Sequence, residues 1–210
     1  MSAYRDRFTG AVLKMFGADV IVRGHTEVPE GALIVANHRS ALDICAALFL
    51  FRTVLVSRHD VAEWPVMGRM ARHGGTIFVN REDRQSGAAA VRAIRRELKA
   101  GQRVMVFPEG TTHGEDNVRE FQPGAFAASA GLDVPIVPVG FAYQPETPFD
   151  GGSFGRHLLN LAATRHTRVV VNIGSPLRSG LKAREAAAVA RDHVQELVSE
   201  AKRGFVESGG

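Results

Sequence analysis

Short β-branched apolar runs, each bounded by turn or charged residues, recur along this chain and limit what it can fold into. Ala32 to Ala36 reads ALIVA and follows Pro29-Glu30-Gly31. Thr53 to Val56 (TVLV) follows Arg52, Thr76 to Val79 (TIFV) follows Gly74-Gly75, and Val104 to Phe107 (VMVF) follows Gly101. Ile136 to Val139 and Phe141 to Tyr143 follow Pro135, and Val169 to Ile173 (VVVNI) closes the series. The runs do not alternate apolar with polar residues. Each predicts a strand buried on both faces, as in a largely parallel sheet.

Helical stretches lie between several of them. Ala41 to Phe51 follows the first run. Ser86 to Lys99 puts Ala89, Ile94 and Leu98 on an inner side and Arg92, Arg95, Arg96 and Lys99 outside. Ala183 to Val206 predicts a long closing helix, with Ala187, Ala190, Val194 and Leu197 at helical spacing. Near the start, Tyr4, Phe8, Val12 and Phe16 recur every four residues with Arg5, Arg7 and Lys14 off that face. A basic amphipathic helix of this kind suits either docking on the core or lying in a membrane interface. Strands alternating with helices predict a single-domain α/β fold, a largely parallel sheet flanked by helices. Residues 1–30 read as the amphipathic helix and its lead-in, and residues 31–210 as the domain proper. Gln144 to Gly155, rich in Pro and Gly, reads as a surface loop.

With 45% apolar and 23% charged residues, the 210-residue chain has the balance of a folded domain. That excludes a disordered chain, a collagen-like repeat and a disulfide scaffold. The single Cys45 forms no internal disulfide, and no Cys/His cluster has zinc spacing, so no metal is expected and a reducing compartment is. The charged start, MSAYRDRFTG, does not read as a secretory signal. The apolar run Ile44 to Phe51 is far short of the roughly 20 residues that span a membrane. Lys plus Arg exceed Asp plus Glu by 26 to 22, and the net charge of +4 allows an anionic partner without naming one.

Four blocks carry chemistry. The first, Asn37-His38-Arg39-Ser40-Ala41-Leu42-Asp43, starts where ALIVA ends, and ligand sites in α/β sheets gather at the carboxyl ends of strands. Asp43 lies in the first turns of the following helix, within reach of one ring nitrogen of His38. Such a pair fixes the tautomer and leaves the other nitrogen to deprotonate an alcohol, with no Ser or Cys nucleophile. The structural alternative has His38 capping the helix and Asp43 paired with Arg39 or Arg52. The second block, Phe107-Pro108-Glu109-Gly110-Thr111-Thr112-His113, places an acid, a permissive glycine and two hydroxyls at another strand end. It also reads as a simple strand-to-loop turn. The third, Gly75 to Arg81, ends in a guanidinium fork suited to phosphate or carboxylate. A surface pairing of Arg81 with Glu82 or Asp83 is its plainer reading. In the fourth, Val134 to Val139, two prolines flank a short strand, a structural role.

In order and spacing, these blocks resemble the four motifs of the glycerolipid acyltransferase family, which includes 1-acylglycerol-3-phosphate acyltransferases. The matches are NHxxxxD (Asn37, His38, Asp43), Gly-x-x-Phe-x-x-Arg (Gly75, Phe78, Arg81), Phe-Pro-Glu-Gly-Thr (Phe107 to Thr111) and VPIVPV. The resemblance implies direct transfer from acyl-CoA or acyl carrier protein, as co-substrate rather than cofactor, to the free hydroxyl of a lysolipid. His38 would be the base and Asp43 its orienting partner. Asn37, Arg58, Gly75, Arg81, Glu109, Gly110, Thr111 and Thr112 would hold substrate, Arg58 taking a place where the family often has Lys. It further implies a peripheral enzyme on the cytoplasmic side of a membrane surface, with no nucleic-acid partner. Phosphatidic-acid-forming members often carry Arg-Ser after the third motif, where this chain has Thr112-His113. That departure, with the sequence from Asp60 to Gly68, is closer to lyso-ornithine-lipid acyltransferases. The long apolar N-terminus of many members has no counterpart in this sequence.

Two other readings compete. Gly151-Gly152-Ser153-Phe154-Gly155 fits G-x-S-x-G but follows no strand, so the elbow that would activate Ser153 is missing. The cations Arg92 to Lys99 suit a non-catalytic membrane or nucleic-acid module, although Glu97 interrupts them. Cys45 reads as a small buried hydrophobe and Trp64 as packing under the loop before Pro65.

Overall fold

The structure, a computed structural model, describes residues 2–63, 67–80, 82–112, 117–145, 154–178 and 180–207. Seven strands form one sheet in the order β1-β7-β6-β2-β5-β3-β4. They are β1 (Ala18–Gly24), β2 (Leu33–Ala36), β3 (Val54–Arg58), β4 (Ile77–Val79), β5 (Val104–Val106), β6 (Ile136–Gln144) and β7 (Thr167–Ile173). Only β6 and β7 pair antiparallel; the other neighbours are parallel. The largely parallel α/β architecture expected from the apolar runs is therefore present.

Helices cover both faces. On one side α1 (Ser2–Met15), α2 (Ala41–Phe51) and α6 (Phe154–Thr164) pack over Ile34, Ala36, Met105, Val137, Val139 and Phe141. On the other, α4 (Arg84–Lys99), α5 (Gly124–Ser129) and α7 (Ala183–Glu207) pack over Leu33, Val35, Val104, Val106 and Ile136. A short 3-10 turn (His59–Glu63) and α3 (Met67–His73) link β3 to β4. Alternate residues of β2 serve the two cores, and all four are buried. That is why ALIVA shows no polar alternation.

Several expectations shift. β1 was not legible: Asp19 and Arg23 break its apolar run, and as an edge strand it is only partly covered. It lies within residues 1–30 and joins the same sheet. The fourth motif is not a strand between two prolines. β6 runs unbroken from Ile136 through Pro138 and Gly140 to Gln144. Pro138 is tolerated because its carbonyl accepts from Gly174 N at 2.9 Å, just past the last β6–β7 pair, Val139–Ile173, so no ladder asks for its missing N–H.

The α1 face is also rotated. Thr9 and Leu13 are its buried residues, Phe8 and Val12 are only partly covered, and Gly10 meets the Phe49 ring of α2. α4 turns Ala90, Ile94 and Leu98 inward and leaves Ala89 exposed, a strict spacing of four. The expected loop from Gln144 to Gly155 gives up Gln144 to β6 and Phe154-Gly155 to α6; residues 146–153, with Ser153, lie outside the described residues. Among the described residues no helix is long and apolar enough to cross a membrane.

Candidate active site

Parallel pairing puts the carboxyl ends of β6, β2, β5, β3 and β4 on one edge of the sheet. The β2–β5 register matches Val35 with Val106. Continued past the strand ends, it sets His38 beside Glu109, so the first and third motifs meet although about 70 residues separate them.

Local chemistry fixes the first motif. Ser40 is the N-cap of α2: its hydroxyl accepts from Leu42 N, while Asp43 reaches back to the Ser40 N–H in a capping box. The same Asp43 oxygen, Oδ2, lies 2.8 Å from His38 Nδ1, 2.7 Å from Arg39 N and 2.9 Å from Ser40 N. The other oxygen accepts from the Tyr143 hydroxyl. Asp43 is fully buried, and its four donors hold it as an acceptor. Nδ1 of His38 must then carry the proton, and Nε2 is left as the basic nitrogen. The imidazole stacks on Phe107 with centroids 4.2 Å apart and keeps 18% of its surface exposed, so one edge faces solvent. Neither structural alternative applies: Ser40, not His38, caps the helix, and Arg52 pairs with Asp6 at 3.0 Å.

Glu109 is buried behind this pair. Burial pushes its carboxyl up to about 8, and the negative charge of Asp43 adds to the rise; backbone N–H groups of His38 and Arg119 and the charge of Arg39 pull the other way. Near neutral pH it is largely a protonated acid. Cys45, one turn into α2, has its thiol pushed up to about 12 by burial and then by Asp43. That leaves it with almost no thiolate, so it is not a nucleophile.

The other expected ligands divide. Gly110, with φ +87°, turns the chain after β5, and Thr111 and Thr112 follow it on the same edge. Arg58 ends β3 on that edge, exposed, with its guanidinium held in a two-point contact by Asp60 at 3.0 and 3.1 Å. Asn37 faces away from the opening: its amide exchanges both hydrogen bonds with the Phe141 backbone, at 2.8 and 3.0 Å, extending the β2–β6 ladder by one residue. Gly75, with φ +75°, caps α3 at the amino-terminal end of β4, away from the His38 edge. Arg81, His113 and Trp64 lie outside the described residues. Among the described residues no group of three or more His, Cys, Asp or Glu has metal-binding geometry.

Two neighbours were not singled out from the sequence. Tyr143 lies at the carboxyl end of β6, and the strand-end rule that picked out His38 also covers it. Buried His157 of α6 places Nε2 3.2 Å from both the Ser40 hydroxyl and Ala41 N, bracing the start of α2. No local pattern announces that contact.

A family profile described as Acyltransferase matches residues 19–142, more than half of the chain. The chain belongs to this acyltransferase family. Among acyltransferases of known name, a 1-acyl-sn-glycerol-3-phosphate acyltransferase of Neisseria gonorrhoeae is 32% identical over 121 residues, covering 58% of this chain and 48% of that protein. A lyso-ornithine lipid O-acyltransferase of Rhizobium meliloti is 33% identical over 154 residues, 71% of this chain and 52% of its own length. Another, from Pseudomonas aeruginosa, is 30% identical over 183 residues, 83% of this chain and 70% of its own. The chain thus spans about half the length of the first two of these relatives. A crystal structure described as the 1-acyl-sn-glycerophosphate (LPA) acyltransferase of Thermotoga maritima superposes with a TM-score of 0.75 at 21% identity, covering 96% of this chain and 79% of that one. At that identity the likeness speaks for the fold.

Proposed function

We propose that this chain is a lysolipid O-acyltransferase in which His38 is the general base. One observation carries the reading: His38 Nδ1 lies against a buried carboxylate already saturated with donors, which leaves Nε2 as the acceptor at the open edge. Nε2 takes the proton of the acceptor hydroxyl as the oxygen attacks the thioester carbonyl of acyl-CoA or an acyl carrier protein. The tetrahedral adduct collapses by expelling the thiolate, and the imidazolium returns its proton to that sulfur. The new ester bond replaces the thioester, no acyl-enzyme forms, and no cofactor or metal is needed. Thr111, Thr112, Gly110 and Arg58 lie on the edge where the acceptor headgroup would rest.

The acceptor is a 1-acylglycerol-3-phosphate-type lysolipid or a lyso-ornithine lipid. Relatives of both names match, and the longer match to the Pseudomonas protein favours the second. The positive balance and the exposed Met15, Phe49 and Leu159, on helices covering one sheet face, suit a peripheral position on an anionic bilayer at the cytoplasmic side.

The test is transfer of labelled acyl groups from acyl-CoA and acyl carrier protein to lysophosphatidic acid and to lyso-ornithine lipid. His38→Ala should lower turnover by about 10²- to 10⁴-fold, the usual worth of a general base. Undiminished turnover by a folded His38→Ala protein overturns the mechanism.

A further inference from the structure

We propose that Tyr143 is a positioning residue for the His38–Asp43 pair, holding Asp43 Oδ1 so that Oδ2 stays aimed at the imidazole, and lowering the basicity of His38. The proposal rests on the reading of His38 as the base. The donors to Oδ2 are local, coming from His38 itself and from the turn that starts α2. Alone they tie the carboxylate only to its own loop. Tyr143 is the donor from a distant element: it is 2% exposed, on β6, one hundred residues away in sequence. β6 pairs with β2 and carries Phe141, whose backbone clamps Asn37. The phenol therefore references the carboxylate to the sheet that also anchors His38.

The charged and titratable groups around the pair come from several elements. Arg39 lies in the same loop, Glu109 follows β5, Cys45 is one turn along α2, and His157 of α6 approaches through Ser40. Glu109 and Cys45 hold their protons near neutrality, so Asp43 is the anion that His38 feels there. A phenol donor draws part of that negative charge toward Oδ1. Removing it concentrates charge on Oδ2, which favours the imidazolium and raises the affinity of His38 for its proton.

Tyr143→Phe keeps the ring and deletes the donor. His38 titration is read by nitrogen NMR of the imidazole in the protein without substrate, with exposed His25 as internal reference. The His38 midpoint should rise by about half to one pKa unit, the worth of one hydrogen bond. The acid limb of kcat/KM should move with it, kcat should fall, and the acceptor KM should hold. An unmoved His38 titration in folded Tyr143→Phe overturns the proposal. If that variant fails to fold, fluorotyrosine at position 143 decides, since a stronger donor of the same shape should lower the midpoint and no change refutes the role. The titration needs no turnover. An inactive wild-type protein would therefore count against the acyltransferase reading, while the shift or constancy of the His38 midpoint still decides the role of Tyr143.

Discussion

Asp43 accepts hydrogen bonds from His38 and from two backbone N–H groups with a single oxygen, so it is at once a helix cap and a catalytic partner. Asp43→Asn should therefore cut turnover and also weaken α2. Glu109 shows the opposite effect of burial. Its ordinary value is 4.5 and its folded value about 8, so between those limits the unfolded chain releases a proton that the folded chain keeps. Stability then falls as pH rises through that window. The amide of a Glu109→Gln variant has no such proton to lose. The melting temperature of Glu109→Gln relative to wild type should move in the variant's favour between about pH 5 and about pH 8. Parallel melting curves would remove the buried-acid account. Glu109 was legible as a site residue, but its protonated state was not, because that comes from the walls packed around it.

At the scale of elements, α2 positions the pair. The Ser40 hydroxyl caps its first turn and touches His157 of α6. Ser40→Ala should cost about 1 kcal/mol of stability in denaturant melts. It should also reduce turnover by more than that loss explains, since the loop carrying His38 starts from the same cap. The limits of α2 and α7 and the apolar runs of β2, β5 and β7 follow from periodicity and length. The faces of α1 and α4 do not: in α4, Ala89 and Ala90 are equally apolar, and only packing against Val118 and Phe121 selects Ala90. The cations of α4 also lose their independence, because Arg95 donates to the carbonyls of Ala128 and Ala130, at 3.2 and 2.7 Å, and ties α4 to the end of α5.

Across the whole molecule, the sheet order turns separated motifs into one site. β2 is central, and its neighbours β5 and β6 bring Glu109 and Tyr143 to the same edge as His38. The closing helix α7 lies on β6 at Gly140, where an added Cβ would come 2.8 Å from Leu197 Cβ and from Val198 N. Gly140→Ala should destabilise the fold by about 1–3 kcal/mol through overpacking, read as a lower denaturation midpoint with the slope unchanged. A variant as stable as wild type would mean that α7 can back away from the sheet.

The sequence by itself determined the α/β class, the buried central strands and the motif residues at their carboxyl ends, because periodicity and strand-end placement are local properties. It also contained the His38–Asp43 contact, since five residues of loop and helix start bring the two together. Only the tertiary structure decided what surrounds that pair. The partners of Asn37, Asp43 and Ser40 are Phe141, Tyr143 and His157, which lie 104, 100 and 117 residues further along the chain. Hydrogen bonds across such separations follow from strand order and helix docking, which a linear pattern does not carry.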